Sequence, residues 1–363
     1  MRFWVDIANS PHVTLFRPVV EELRRQGHDV QLTVWDRGQT ASLARQVWPE
    51  SVVVGSGFRR SLTDKAGAVW SRAVALRDGL QQDAVDVAVS HNSYSQIVAG
   101  RLLGIPVVTA MDYEHQPANY LAFRLADRII LPAAVPLTSV RRFGATGARV
   151  LRYPGLKEEV ALSTFRPDPS FRSSLGLDDD RPLITLRPPA EGALYHRRRN
   201  PQFESLALRL HVLDAQVVLT PRTRSQVEWY GGIRGVDVLE QAVSGPDLLF
   251  QSDLVIGGGG TMTREAVVLG TPCFTLFSGP PAAVDLELIR AKRLRVLTDQ
   301  EALLRAGVAR LRGRRWEPNP DPLRYFTEVL VEAASSVRRR VRRLPAPVLS
   351  RRIGSSLPTV IDS

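Results

Sequence analysis

The chain has 363 residues, enough for two domains with full cores. Its composition, 44% hydrophobic and 23% charged, is that of an ordinary folded protein, and no run reaches the about 20 apolar residues that a membrane-crossing helix needs. A net charge of +11 favours anionic partners, and the single cysteine, Cys273, excludes an internal disulfide and a cysteine metal cluster. The basic residues are almost all arginine: only Lys65, Lys157 and Lys292 are lysine. The chain enters a strand directly, with no basic segment ahead of an apolar one, so a cytoplasmic protein is expected.

Residues 2–7 read as a strand, and Asn9-Ser10-Pro11-His12 as the loop that ends it. Ser10 is the expected N-cap and Pro11 the first helical residue, after which Leu15, Val19, Val20 and Leu23 repeat at helical spacing as far as Gly27. Strands are predicted over 30–35, 51–54, 85–90, 107–111 and 128–131, with helices over 37–47, 65–80, 94–103 and 119–125 between them. Such alternation requires crossover connections and a parallel sheet covered on both faces. Tyr153-Pro154-Gly155 reads as a hinge. Beyond it, strands at 183–186, 215–220, 236–239, 254–256 and 274–277 alternate with helices at 201–213, 223–230, 247–251, 261–269 and 285–291.

Two α/β domains are therefore expected, residues 1–154 and 155–330, followed by a basic tail over 331–363. In open parallel sheets ligands lie beyond the C-terminal strand ends. The tail alternates arginine with Val, Leu and Pro from Arg338. It has two readings: peripheral contact with anionic lipid, or a solvated end that does not pack. The charge run over 195–200 reads as a loop.

The loops after the strands carry the polar residues. After the first strand, His12 falls in the first turn of a helix, where the helix end disfavours the imidazolium and keeps the ring neutral and able to accept a proton. The competing reading is a helix capped by Asn9 and Ser10, with His12 at the surface. His91 and Asn92 follow a second strand, and Asp112, Glu114 and His115 a third; Asp112 or Glu114 is placed to orient His12. In the second half, Arg187 and Arg222 each follow a strand, where bidentate bonds to phosphate are favourable. The strongest signal is the strand over 254–256, then Gly257-Gly258-Gly259-Gly260, then a helix that Thr261 or Thr263 caps. Glycines allow close backbone approach, and the helix N-terminus suits a diphosphate. Glu265, one turn further on, is poor company for phosphate but suits ribose hydroxyls. Neither the Walker nor the Rossmann glycine phasing is present, nor is a metal-binding or nucleophile-elbow motif, so no metal and no cofactor are expected.

The glycine run with Glu265 and Leu269-Gly270-Thr271-Pro272 resembles the diphosphate and ribose segment of GT-B glycosyltransferases, among them the lipid II-forming GlcNAc transferase, and of the non-hydrolysing UDP-GlcNAc 2-epimerases. Together with 4–13 and 219–223, it is similar to the DUF354 family over roughly 1–330. The resemblance implies a GT-B-like fold, two Rossmann-like parallel-sheet domains facing across a cleft. It puts Gly258, Gly259, Gly260 and Thr261 against the diphosphate of a UDP-linked sugar, Glu265 against its ribose and Asp285 against the sugar hydroxyls. The loop serine of those families is replaced by glycine here. His12 looks placed like the general base of GT-B transferases, with Asn9, Ser10, His91, Asn92 and His115 around it. The expected reaction is glycosyl transfer to an acceptor that could be lipid-linked. The alternatives are 2-epimerisation, with Asp112, Glu114, His91 and His115 moving the proton, and binding of a nucleotide or polyanion without chemistry. No specific nucleic-acid partner is expected, because there is no aromatic-and-basic stacking platform.

Overall fold

A computed structural model describes residues 1–343 except 38, 58–61, 81–84, 190–199 and 242. The charge run at 195–199 and the chain beyond 343 lie outside the described residues. The first sheet contains β1 (Arg2–Ile7), β2 (Asp29–Asp36), β3 (Val52–Ser56), β4 (Val87–His91), β5 (Val107–Ala110), β6 (Arg128–Pro132) and β7 (Val150–Tyr153). All are parallel, in the order β3-β2-β1-β4-β5-β6-β7. Its crossovers are α1 (Ser10–Arg25), α2 (Thr40–Val47), α3 (Leu62–Gly79), α4 (Tyr94–Leu103), α5 (Asn119–Leu125) and α6 (Leu137–Arg141). The short helices α7 (Lys157–Ala161) and α8 (Phe171–Ser174) lead to the second sheet.

That sheet contains β8 (Leu183–Arg187), β9 (Gln216–Leu219), β10 (Asp237–Val238), β11 (Leu254–Gly257), β12 (Cys273–Thr275) and β13 (Arg295–Val296), again parallel, in the order β10-β9-β8-β11-β12-β13. Its helices are α9 (Pro201–Arg209), α10 (Arg224–Tyr230), α11 (Gly245–Gln251), α12 (Thr261–Val268), α13 (Ala283–Arg290) and α14 (Gln300–Ala306). In both sheets the strand order reverses beside the first strand, at β1/β4 and at β8/β11. A crevice opens there between the loops, and ligands bind at such points. No helix among the described residues is long and apolar enough to cross a membrane.

Each sheet is covered on both faces. Phe3, Val5 and Ile7 of β1 pack against Leu15, Phe16, Val19 and Leu23 of α1, while Trp4 faces the other way, onto Ile97 and Phe123. The tail expected from 331 begins later. The last helix, α15 (Asp321–Arg343), buries Leu323, Phe326, Leu330, Ala333, Ala334 and Val337 against the first domain, and Phe326 meets Tyr153 edge-on at 5.0 Å. The first domain is therefore completed by the C-terminal helix. Each buried Leu or Phe contributes about 1.5–3 kcal/mol, and the spacing of these residues is that of an amphipathic helix whose arginine-rich end masks it in the sequence.

A polar group also lies inside this core. Asp6, fully buried on β1, accepts two hydrogen bonds from Arg72 of α3, both at 2.8 Å, one from Thr33 on β2, and one from Ser93 at the start of α4. Trp4 Nε1 donates to the same Thr33 at 2.8 Å. One carboxylate thus ties β1, β2, α3 and the β4–α4 loop together at the switch point.

Candidate functional site

The glycine loop is built by close approach. Gly258 N–H donates to Arg187 O at 2.8 Å, and a Cβ on Gly258 would stand 2.6 Å from Pro189 N. Gly259 and Gly260 have φ of 92° and 95°, the left-handed region that glycine enters without strain. The cap differs from expectation: Gly260 is the N-cap of α12 and neither threonine caps it. Thr261 opens the helix, and the hydroxyl of Thr263 is buried without a hydrogen-bond partner. A small open pocket adjoins the loop, lined by Gly259, Gly260, Thr263, Phe277, Pro281 and Asp285 among others.

Two arginines converge on this loop. Arg187, at the end of β8, donates through Nη1 to Thr220 O (2.8 Å) and Pro221 O (3.1 Å), while its buried Nε has no partner among the described residues. Burial, with Arg222 second, pulls its guanidinium down to about 9, although Glu265 opposes the shift. Arg222 Nε donates to Pro188 O at 3.1 Å, and its Nη2 lies 3.9 Å from where a Cβ on Gly260 would be. An anion seated here would offset the repulsion between the enclosed Arg187 and the exposed Arg222 beside it.

Glu265 follows on α12, buried and accepting no hydrogen bond among the described residues. Burial, and next Glu158, push its carboxyl up to about 7, against Lys157 and Arg187. The unfolded carboxyl titrates near 4.3. The folded state therefore holds the proton more tightly, and the cost of burying the charge grows as pH rises from about 4.3 to about 7. Glu265→Gln is expected to unfold like the wild type at pH 4 and to be about 2–4 kcal/mol more stable at pH 8. Urea melts at the two pH values would show this, and a less stable variant at pH 8 would contradict it.

A charged seam joins the two sheets. Asp112, after β5, is bonded by Lys157 Nζ on α7 and by Arg264 Nη1 on α12 at 2.6 Å. Arg264 also holds Asp285 of α13, through Nε at 2.6 Å and Nη2 at 3.2 Å. The Glu158 carboxyl lies 3.2 Å from Lys157 and 3.7 Å from Arg264, and its buried Oε1 accepts no hydrogen bond among the described residues. Burial pushes the Asp112 carboxyl up, but Lys157 first and then Arg264 override it and hold the group well below the usual carboxylate range. Asp285, expected on sugar hydroxyls, spends both oxygens on Arg264. Lys157, Glu158 and Arg264 were not among the expected site residues, although Lys157 is one of only three lysines in the chain.

The first-domain loops meet this seam. Asn9, not Ser10, is the N-cap of α1; its side chain takes a bond from Arg37 at 3.3 Å, while the Ser10 hydroxyl meets Thr40 at 3.2 Å. His12 is buried rather than at the surface, 5.3 Å from the His91 ring. Burial, and next His91, lower its pKa well below the usual value; burial takes His91 to about 4. Both rings are neutral at pH 7. Neither Asp112 nor Glu114 orients His12. Its Nδ1 accepts from Ala8 N–H at 3.3 Å, so the neutral ring carries its proton on Nε2.

Asp112 Oδ1 lies instead 3.4 Å from His91 Nε2. Glu114 accepts through Oε1 from Ala283 N–H at 2.8 Å, and His115 Nε2 donates to Pro281 O at 3.2 Å, so both help hold the domains together, while the buried Glu114 Oε2 accepts no hydrogen bond among the described residues. Asn92, in the left-handed region at φ 52°, donates to Asn119 at 2.9 Å and shapes the loop.

Known proteins share this architecture. The solved UDP-GlcNAc 2-epimerase of Methanocaldococcus jannaschii, in complex with UDP-GlcNAc and UDP, superposes with a TM-score of 0.68 at 14% identity, covering 92% of this chain and 100% of that one. The UDP-N-acetylglucosamine 2-epimerase of Rickettsia bellii gives 0.66 at 14% identity, covering 94% and 98%. By sequence the chain is 28% identical over 297 residues to an uncharacterised protein of M. jannaschii, covering 80% of this chain and 86% of that relative. It is also 28% identical over 212 residues to the UDP-N-acetylglucosamine–N-acetylmuramyl-(pentapeptide) pyrophosphoryl-undecaprenol N-acetylglucosamine transferase of Clavibacter michiganensis, a match spanning 56% of this chain and about half, 54%, of the transferase. The fold is thus GT-B-like, two Rossmann-like parallel-sheet domains. The family described as "Protein of unknown function (DUF354)" matches residues 1–334, and the chain belongs to it.

Proposed function

We propose that the protein binds a nucleoside-diphosphate sugar, UDP-linked, between its two sheets and transfers the sugar to an acceptor hydroxyl. One observation carries this reading: the glycine loop at the β8/β11 switch point opens α12 toward two converging arginines, with an unbonded carboxylate one turn beyond. The diphosphate lies against Gly258, Gly259, Gly260 and Thr261, with Arg187 and Arg222 on its oxygens, and Glu265 accepts from the ribose hydroxyls. Charge developing on the departing diphosphate meets the helix end and both cations, the usual source of the largest catalytic contribution. His91, neutral and 5.3 Å from the His12 ring, is the group placed to take up the acceptor proton. Because the Ala8 amide occupies His12 Nδ1, His12 meets the acceptor as an Nε2–H donor unless the ring changes tautomer.

The geometry supports 2-epimerisation less. Of the carboxyls named for that reaction, Asp112 is clamped in its charged form, and Glu114 has one oxygen bonded to Ala283 N–H. The two reactions separate when the products are followed by NMR. The transferase reading expects a UDP-sugar to stay unchanged alone and to release UDP when an acceptor is added. Inversion at C2 without an acceptor would overturn it.

A further inference from the structure

Helix α5 is apolar on both faces. Asn119, Ala122, Phe123 and Ala126 are buried, as its inner face requires. Its outer face carries Tyr120, Leu121 and Arg124, with Pro117 just ahead of the helix, all exposed, Tyr120 at 48% and Leu121 at 42%. Tyr120 stacks edge-on against Phe143 at 4.8 Å, the Arg124 guanidinium covers the Tyr120 ring at 4.8 Å, and that of Arg142 covers Phe143 at 4.6 Å. Arg141 and Arg142 are exposed beside them. The charge around the patch is one-sided: between Glu114 and Glu158 the only acid is Asp127, against six arginines and Lys157. Asp127 itself is engaged by Arg101 at 3.3 Å and by Val107 N–H at 2.9 Å.

We propose that the outer face of α5, with Arg141 and Arg142, docks on an anionic phospholipid surface. An aliphatic side chain beside an exposed tyrosine, rimmed by arginines, is the chemistry of a membrane interface: the Tyr120 ring and Leu121 enter the headgroup region, and the guanidinium groups of Arg141 and Arg142 pair with lipid phosphates. A polynucleotide would satisfy the arginines but give Leu121 and Pro117 nothing to pack on. The patch is tied to the cleft, because Asn119 at the start of α5 donates to Tyr113 O at 3.2 Å and accepts from Asn92. A membrane touching α5 therefore lies beside the loop that carries Asp112, Glu114 and His115.

The test is sedimentation of the full chain with vesicles of phosphatidylglycerol and phosphatidylcholine, or of phosphatidylcholine alone. Binding is expected to the anionic vesicles only. Each arginine near such a surface is worth about fivefold in affinity, so Arg141→Glu with Arg142→Glu should weaken binding at least tenfold, and Leu121→Ser several-fold, with thermal melts confirming that each variant is folded. Absence of wild-type binding to anionic vesicles would overturn the proposal. So would variants that bind like the wild type, since the contact would then belong to the arginines beyond residue 343. Displacement of anionic vesicles from wild type and variants alike by RNA would also overturn it.

Discussion

Asp6→Ala is expected to destabilise the protein by about 3–5 kcal/mol, the usual cost of leaving one member of a buried ion pair without its partner. Arg72 is almost fully buried, and its remaining contacts are the Val54 carbonyl at 2.8 Å and the face of Trp35 at 5.1 Å, neither of which neutralises a guanidinium. The same substitution releases Thr33 and Ser93. Replacing both members, as Asp6→Leu with Arg72→Met, should recover most of the loss, because an apolar pair of similar volume carries no unpaired charge. Urea unfolding of the single and double variants measures this. A single-variant loss below about 1 kcal/mol would mean that water reaches Arg72 and that the site is not closed.

Arg264→Ala is the second large effect, and it depends on pH. The change leaves Asp285 without its bidentate partner and Asp112 with Lys157 alone, while Glu158 stays buried beside them. The loss should reach about 3–5 kcal/mol at pH 7. The sign of the pH dependence follows from Asp112, whose carboxyl is held below its unfolded value of about 3.9. Its contribution is present above that value and fades as pH falls through it toward the lower folded value. The gap between wild type and variant is therefore expected to be widest at pH 7 and to narrow toward pH 3. A gap that does not change with pH would show that Arg264 acts through packing and not through charge.

The sequence was most legible where periodicity and punctuation agree. Val19, Val20 and Leu23 ahead of Gly27, and the apolar strand running into four glycines, each mark an element from local chemistry alone. The four glycines were legible as a sharp turn at a strand end, which close approach to Pro189 and positive φ both demand, but the cap was not, since Gly260 takes it and neither threonine does. The seam was not. Asp112 and Arg264 are 152 residues apart, and Lys157 stands on a five-residue helix too short to show a period. The tautomer of His12 was equally hidden, since a backbone amide fixes it and a backbone amide has no signature in sequence. Asp6 did leave a signal, an acid among the apolar residues of β1, and a buried acid needs a cation or hydrogen-bond donors beside it.

The central claim is a nucleotide-sugar site at the glycine loop, and ligand-dependent thermal unfolding tests it most directly. Wild type, Glu265→Ala and Gly258→Ala would be melted with a panel of nucleoside diphosphates and nucleotide sugars, at low and moderate salt. A ligand at about 100 times its dissociation constant adds about 2.7 kcal/mol of stability. The expected result is a clear rise with one uridine nucleotide for the wild type, lost in Glu265→Ala and in Gly258→Ala, whose new Cβ would press on the Pro189 backbone. A wild type that no member of the panel stabilises would contradict the claim, and so would a rise that vanishes with salt and ignores Glu265, which would put a polyanion-binding protein in its place.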